Sequence, residues 1–147
     1  LAACLLPGLK VTRVESLGHP AFPGVDFASR ISLADEGLAG DVSMDYLTPL
    51  LHRRTILRGT GRMHDFDFAA QVYRVTDAQG PRLLDLPLER NAMFMDAMRD
   101  FLALAAGGKT SGNPLMPVLS SCMESARLVA RAWAARSFVG EITKEIP

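Results

Sequence analysis

The apolar side chains change period at Glu89. Before it they tend to alternate with polar ones, and after it they recur every third or fourth residue. A period of two belongs to a strand, whose successive side chains point to opposite faces, and a period near 3.6 belongs to a helix. The chain therefore reads as a run of strands followed by helices.

Lys10–Leu17 is the first expected strand, rich in β-branched residues. Gly18-His-Pro20 and Pro23-Gly24 punctuate the loop that follows. In Val25–Ala34, Val25, Phe27, Ser29, Ile31 and Leu33 share one face of a second strand. Asp35-Glu36-Gly37 turns the chain into a return strand at Leu38–Leu47, a hairpin pattern, and Pro49 ends its pairing. Arg54–Arg58, a Gly59-Thr-Gly61 turn, Met63–Phe68 and Ala70–Thr76 continue the series, with Arg82–Leu88 as an edge.

From Arg90 the residues Phe94, Met98, Phe101, Leu102 and Ala105 define one helix face, stopped by Gly107-Gly108. After a polar connection at Lys109–Asn113, with Pro114 or Pro117 placed to start a helix, Leu119, Cys122, Met123, Ala126, Val129, Ala130 and Trp133 define a second face. The tail Phe138–Ile146 is a last strand or an arm. The fold class expected is α+β: a mostly antiparallel, open-faced sheet with two long C-terminal helices packed on one face. Its other face, with Ala28, Ala39, Leu47 and Ala70, is then expected to pair with a second copy of the chain.

Composition narrows the function. Sixteen basic and sixteen acidic side chains in 147 residues give zero formal charge, which argues against a nucleic-acid surface or an anionic membrane surface. No apolar run approaches the roughly 20 residues of a bilayer span. Cys4 and Cys122 are too far apart in sequence for a zinc or disulfide motif, so they read as small buried hydrophobes in a reduced, cytoplasmic protein. Leu1–Leu6 reads as the end of a helix whose beginning is missing.

Chemistry is sparse. There is no G-x-G-x-x-G, Walker, H-E-x-x-H or G-x-S-x-G motif, and His19, His52 and His64 have no ligand spacing, so no metal site is expected. Arg53, Arg54, Arg58 and Arg62 crowd together between His52 and His64, flanked by Asp41, Asp45, Asp65 and Asp67. Guanidinium forks suit carboxylate or phosphate, so this is an anion site or a salt-bridged sheet surface. Asp65 and Asp67, two apart, share a strand face and are a possible acid/base pair.

The order Asp26-Phe-Ala28, Glu36-Gly37, Met44-Asp45-Tyr46, Arg53-Arg54, Gly59-Thr-Gly61 and Phe66-Asp67 resembles the C-terminal domain of the glucose–fructose oxidoreductase, inositol dehydrogenase and rhizopine-catabolism (Gfo/Idh/MocA) family. Arg90-Asn91-Ala-Met93-Phe94, Phe101, Gly107-Gly108 and the closing Ala134-Ala-Arg136-Ser137 extend the resemblance over nearly the whole chain. Three features depart from the family: the nucleotide-binding Rossmann domain is absent, the catalytic E-K-P lysine and His/Asp motif would lie upstream, and the glycine turn is one residue short.

The resemblance implies a single domain over residues 1–147 that supplies the substrate-side wall and oligomer interface of an NAD(P)-dependent oxidoreductase of sugars, cyclitols or sugar derivatives. It implies no catalytic or cofactor-binding residue here, NAD or NADP in the full-length protein, and an isolated chain that is inactive. Asp45, Tyr46, Arg53 and Arg54 are the candidate substrate contacts. The alternatives are a free-standing, non-catalytic oligomerisation or binding module of the same fold, and a small enzyme with an anion pocket around the arginines.

Overall fold

The computed structural model describes residues 2–6, 8–87, 89–108 and 119–143. In chain order the elements are α1 (Ala2–Leu5), β1 (Lys10–Gly18), β2 (Ala28–Asp35), β3 (Leu38–Asp45), β4 (Arg54–Arg58), β5 (Arg62–Asp67), β6 (Val72–Asp77), β7 (Gly80–Asp85), α2 (Arg90–Ala105), α3 (Leu119–Ala134) and β8 (Arg136–Glu141). The fold is α+β, and all but one of the strand pairings are antiparallel. The strands divide between two four-stranded sheets rather than forming one. Alternation marks a strand but carries no record of which hairpins share a sheet.

The chain forms two compact units, Leu1–Leu47 with Pro114–Pro147, and Thr48–Asn113. The first unit holds the sheet β3-β2-β1-β8. Glu36 and Gly37 make the β2–β3 turn, where Gly37 takes φ 73°, a conformation glycine adopts without a Cβ clash. Val14, Ser16 and Gly18 are buried on one face of β1, and Ser29 and Leu33 are buried on β2. The outward residues Arg30, Ser32 and Asp41 form a polar cluster, so the opposite face of this sheet is charged. Its apolar residues include Ala28 and Ala39, with Leu17 beside Ala28 in the register.

Helix α3 lies against β1 and α1. Its more buried residues are Ser125, Leu128 and Ala132, spaced by three and four. The stripe expected to be buried, from Cys122 and Met123 through Val129 to Trp133, is exposed. Cys122 is thus not the buried hydrophobe that its composition implied; the helix turns its small-residue side inward. The side chain of Cys4 lies outside the described residues.

The second unit holds the meander β4-β5-β6-β7 and α2. Glu89 caps α2 by accepting from the Ala92 N–H at 2.6 Å. The far end closes as the Gly107-Gly108 pair suggested. Gly108 N–H donates to the Ala103 carbonyl and Gly107 N–H to that of Leu104, with Gly107 at φ 71°. Its expected apolar face is exposed at Phe94, Met98, Phe101 and Leu102.

Most strand boundaries differ from expectation by a residue or a few: β1 runs on to Gly18, β3 stops at Asp45 rather than Leu47, β5 spans Arg62–Asp67 rather than Met63–Phe68, and β7 spans Gly80–Asp85 rather than Arg82–Leu88. β2 begins at Ala28 rather than Val25: the Val25 N–H turns back to the Phe22 carbonyl within the loop, and the Asp26 carboxylate accepts from the Ser29 hydroxyl. β6 begins at Val72 because Asp67 accepts from the Ala69 and Ala70 N–H groups and bends residues 68–71 into a turn with Gln71 at φ 57°. β8 begins earlier than Phe138, at Arg136, directly after α3. The expected continuation over residues 144–146, the connection at 109–113 and both proline helix starts lie outside the described residues.

Candidate functional site

The four expected contact residues divide between the units, Asp45 and Tyr46 in the first, Arg53 and Arg54 in the second. Asp45 closes β3, and its Oδ1 accepts the Leu47 N–H at 3.0 Å. The next residue, Tyr46, donates its N–H to the Phe27 carbonyl at 2.9 Å while its side chain is 85% exposed. A tyrosine anchored by backbone and free at the ring is suited to contact a bound molecule.

In the second unit, the Arg53 guanidinium lies 5.5 Å from the centre of the Phe68 ring. Arg54 stands opposite Asp67 in the β4–β5 register but reaches diagonally to Asp65. Its Nε and Nη2 donate to the two Asp65 carboxylate oxygens at 2.7 and 2.6 Å, a bidentate fork. From the other neighbouring strand, Arg74 Nη1 donates to Asp65 Oδ2 at 3.1 Å. Asp65 is only 3% exposed. The hydrogen bond from Arg54 holds its carboxyl below the usual carboxylate value, outweighing partial desolvation, and the charges of both arginines add to the effect.

This trio, with Asp67, Ala70 and Val72, lines a shallow cavity of about 230 Å³. Asp65 is committed to two cations and Asp67 accepts backbone N–H groups, so they do not act as an acid/base pair. The salt-bridged surface is the arrangement adopted around Arg54, and Arg62 and Arg82 likewise meet Asp77. Arg74 lay outside the sequence cluster of arginines; only the β5–β6 register brings it opposite Asp65. In the alternating positions of the same strands, His64 and Tyr73 share a 2.6 Å hydrogen bond, and Tyr73 stacks on Phe66 with centroids 4.3 Å apart.

In the first unit a chain of polar groups runs inward from β8. Arg136 Nη1 donates to Asp26 Oδ1 at 3.0 Å, and the Ser29 hydroxyl donates to Asp26 Oδ2 at 2.8 Å. The Ser16 hydroxyl lies 2.8 Å from that of Ser29 and is its donor, because Ser29 spends its own proton on Asp26. Desolvation pushes the Asp26 carboxyl up, but the bonds from Ser29, the backbone and Arg136 together hold it below its ordinary value. The Arg136 guanidinium sits 3.7 Å from the Trp133 ring centre and 5.2 Å from that of Phe138. In the sequence Asp26 and Arg136 belong to separate motifs, and nothing in their spacing joins them.

Among the described residues no group of His, Cys, Asp or Glu is arranged to hold a metal ion. A dinucleotide needs a glycine-rich turn from a strand into a helix whose N-terminus receives the pyrophosphate. The described strand-to-helix passage leads from β7 to α2, and there Glu89 puts a carboxylate on the helix N-terminus. That arrangement repels a pyrophosphate, so the described residues do not fit a nicotinamide dinucleotide.

Two solved structures of UDP-N-acetylglucosamine 3-dehydrogenase GnnA from Acidithiobacillus ferrooxidans share this fold. One superposes with a TM-score of 0.62 at 16% identity, over 88% of this chain and 43% of that one. The other has a TM-score of 0.64 at 18% identity, over 89% of this chain and 42% of that one. The chain thus spans about two-fifths of the length of the protein it matches. At this identity the similarity is one of fold. No protein-family model matches the chain. No curated protein matches it either. Among the described residues no helix is long and apolar enough to cross a membrane.

Proposed function

We propose that this chain is the C-terminal, substrate-side part of an NAD(P)-dependent oxidoreductase of the Gfo/Idh/MocA type, acting on a sugar, cyclitol or sugar derivative in the cytoplasm. The observation that carries the reading is the fold shared with a sugar-nucleotide dehydrogenase across nearly nine-tenths of this chain. The motif order from Asp26-Phe-Ala28 to Arg136-Ser137 supports it independently. Hydride chemistry belongs to the nicotinamide, and the described residues do not fit that group. Its part in the reaction is to bind and orient substrate.

In this reading Asp45, Tyr46, Arg53 and Arg54 are substrate contacts, each pair within its own unit. Of the two arginines, Arg53 has the freer fork, because Arg54 is already held by Asp65. The sheet also provides a surface for assembly with further copies of the chain.

The test is a steady-state comparison in the polypeptide that joins this chain to a nucleotide-binding half. Tyr46→Ala and Arg53→Ala should each raise KM for the sugar substrate about tenfold, the equivalent of about 1.4 kcal/mol, with KM for NAD(P) unchanged. Residues 1–147 alone should show no turnover and no saturable NAD(P)H binding at micromolar concentration. Micromolar coenzyme binding by residues 1–147 overturns the reading.

A second reading, a non-catalytic oligomerisation module, is favoured by the exposed apolar stripe of α3, where Val129 and Trp133 face outward. It predicts assembly of residues 1–147 by light scattering, with sugar turnover in the joined polypeptide unaffected by Tyr46→Ala and Arg53→Ala.

A further inference from the structure

One end of the first sheet gathers the ends of all four of its strands. β3 ends at Asp45, β2 begins at Ala28, β1 ends at Gly18 and β8 ends at Glu141. The register sets Asp45 beside Ala28, Ala28 beside Leu17, and Gly18 beside Glu141. On the β1–β8 side of this end lies a cleft of about 300 Å³, with Gly18, His19 and Pro23 on one side and Phe138 and Glu141 on the other. None of the four expected contact residues lines it. We infer that this cleft is a carbohydrate subsite that takes a single pyranose ring.

Phe138 supplies the apolar wall. Its ring is 45% exposed, and the C–H face of a pyranose gains by covering such a surface. The ring lies where it does because residue 18 has no side chain: a Cβ there would come within 3.2 Å of Phe138 Cδ1. Arg136 lies 5.2 Å from the ring centre and helps to hold it.

His19 supplies a fixed donor. Its Nδ1 accepts the Ala21 N–H at 3.1 Å, so in the neutral ring the proton sits on Nε2. The rings of Phe22 and Phe27, each 5.6 Å from the imidazole centre to centre, set its orientation. Glu141 supplies two acceptor oxygens, the arrangement that receives a pair of neighbouring hydroxyls. An apolar wall with a few placed polar groups is the usual composition of a small-molecule site.

The class of ligand follows from what lines the cleft and from its size. Among the described residues no lysine or arginine lines it, and Arg136, which lies close by, is engaged by Asp26. A phosphate or carboxylate would therefore meet Glu141 without a compensating charge, so a neutral polyol is favoured. The volume lies at the lower limit of small-ligand sites, which accommodates one ring rather than a nucleotide. The inference does not depend on the dehydrogenase reading, because binding is measured on this chain without coenzyme.

The test is a titration of residues 1–147 with N-acetylglucosamine, followed by backbone amide NMR shifts, with inorganic phosphate as a second titrant. Saturable shifts are expected at Gly18, His19, Gly140 and Glu141, with a dissociation constant on the order of 1–10 mM. Glu141→Gln and Phe138→Ala should each weaken binding tenfold or more, and Phe138→Tyr, which keeps an aromatic wall, should retain it within about threefold. Absence of saturable shifts, shifts confined to other residues, tighter binding of phosphate than of the sugar, or unchanged affinity in Glu141→Gln would each overturn the inference. Sugar binding here together with unaltered KM in the Tyr46→Ala and Arg53→Ala enzymes would keep this subsite and remove the substrate contacts proposed above.

Discussion

Arg136 and Asp26, 110 positions apart in the chain, meet in a 3.0 Å ion pair whose side chains are only 15% and 25% exposed. The pair fastens the closing strand of the first unit to the loop before β2. Arg136→Ala leaves the Asp26 carboxylate with its Ser29 bond but no cation, and should destabilise this unit by about 1–3 kcal/mol. Arg136→Lys should recover only part of the loss, because an ammonium group does not reproduce the planar stacking on Trp133. Urea unfolding followed by Trp133 fluorescence measures both.

Ser16 is 1% exposed, and its hydroxyl has Ser29 as its partner. Ser29→Ala should cost about 1–3 kcal/mol by stranding a buried donor. The double replacement Ser16→Ala/Ser29→Ala should cost less than the sum of the single ones, since the second removes a group already left unsatisfied. Additive losses in a urea double-mutant cycle would show that the two hydroxyls act independently.

The second unit should weaken in acid through Asp65. Its carboxyl titrates below the unfolded value of about 3.9. The contribution of the Arg54 and Arg74 bonds is therefore complete above that value and is lost as pH falls through the lower folded value. Asp65→Asn should flatten this dependence below about pH 4 while lowering stability at pH 7. The readout is the thermal midpoint across pH 2–7, followed by Tyr73 fluorescence or amide NMR in the second sheet.

The two sides of α3 should respond in opposite ways. Val129→Lys, on the exposed stripe, should change stability by no more than about 0.5 kcal/mol and reduce self-association. Ala132→Leu, at a position 6% exposed, should overpack the contact and cost about 1–3 kcal/mol. A reversed outcome in chemical denaturation would mean that the helix presents its other side to β1.

Much of the strand layout was legible because alternation is local. Arg54–Arg58 has the bounds expected of it, and the Glu36-Gly37 and Gly107-Gly108 stops lie where their backbone demands put them. Helix faces were harder. Both sides of α3 carry apolar or small residues, so spacing alone named Val129 and Trp133 when the more buried residues are Leu128 and Ala132. Site chemistry was least legible, because it depends on register. Arg74 reaches Asp65 only across a strand pair, and Arg136 reaches Asp26 across most of the chain. A search for neighbouring arginines detects Arg53 and Arg54 but neither of those.

The parallel pairing of β8 with β1 has a kinetic consequence. Residues 48–113 interrupt the first unit and contain every strand of the second sheet. On a ribosome the inserted meander has all its hydrogen-bonding partners while β1 still has one edge vacant. The older part of the chain therefore matures after the younger one, and its free edge stays open to strangers until Arg136–Glu141 emerges.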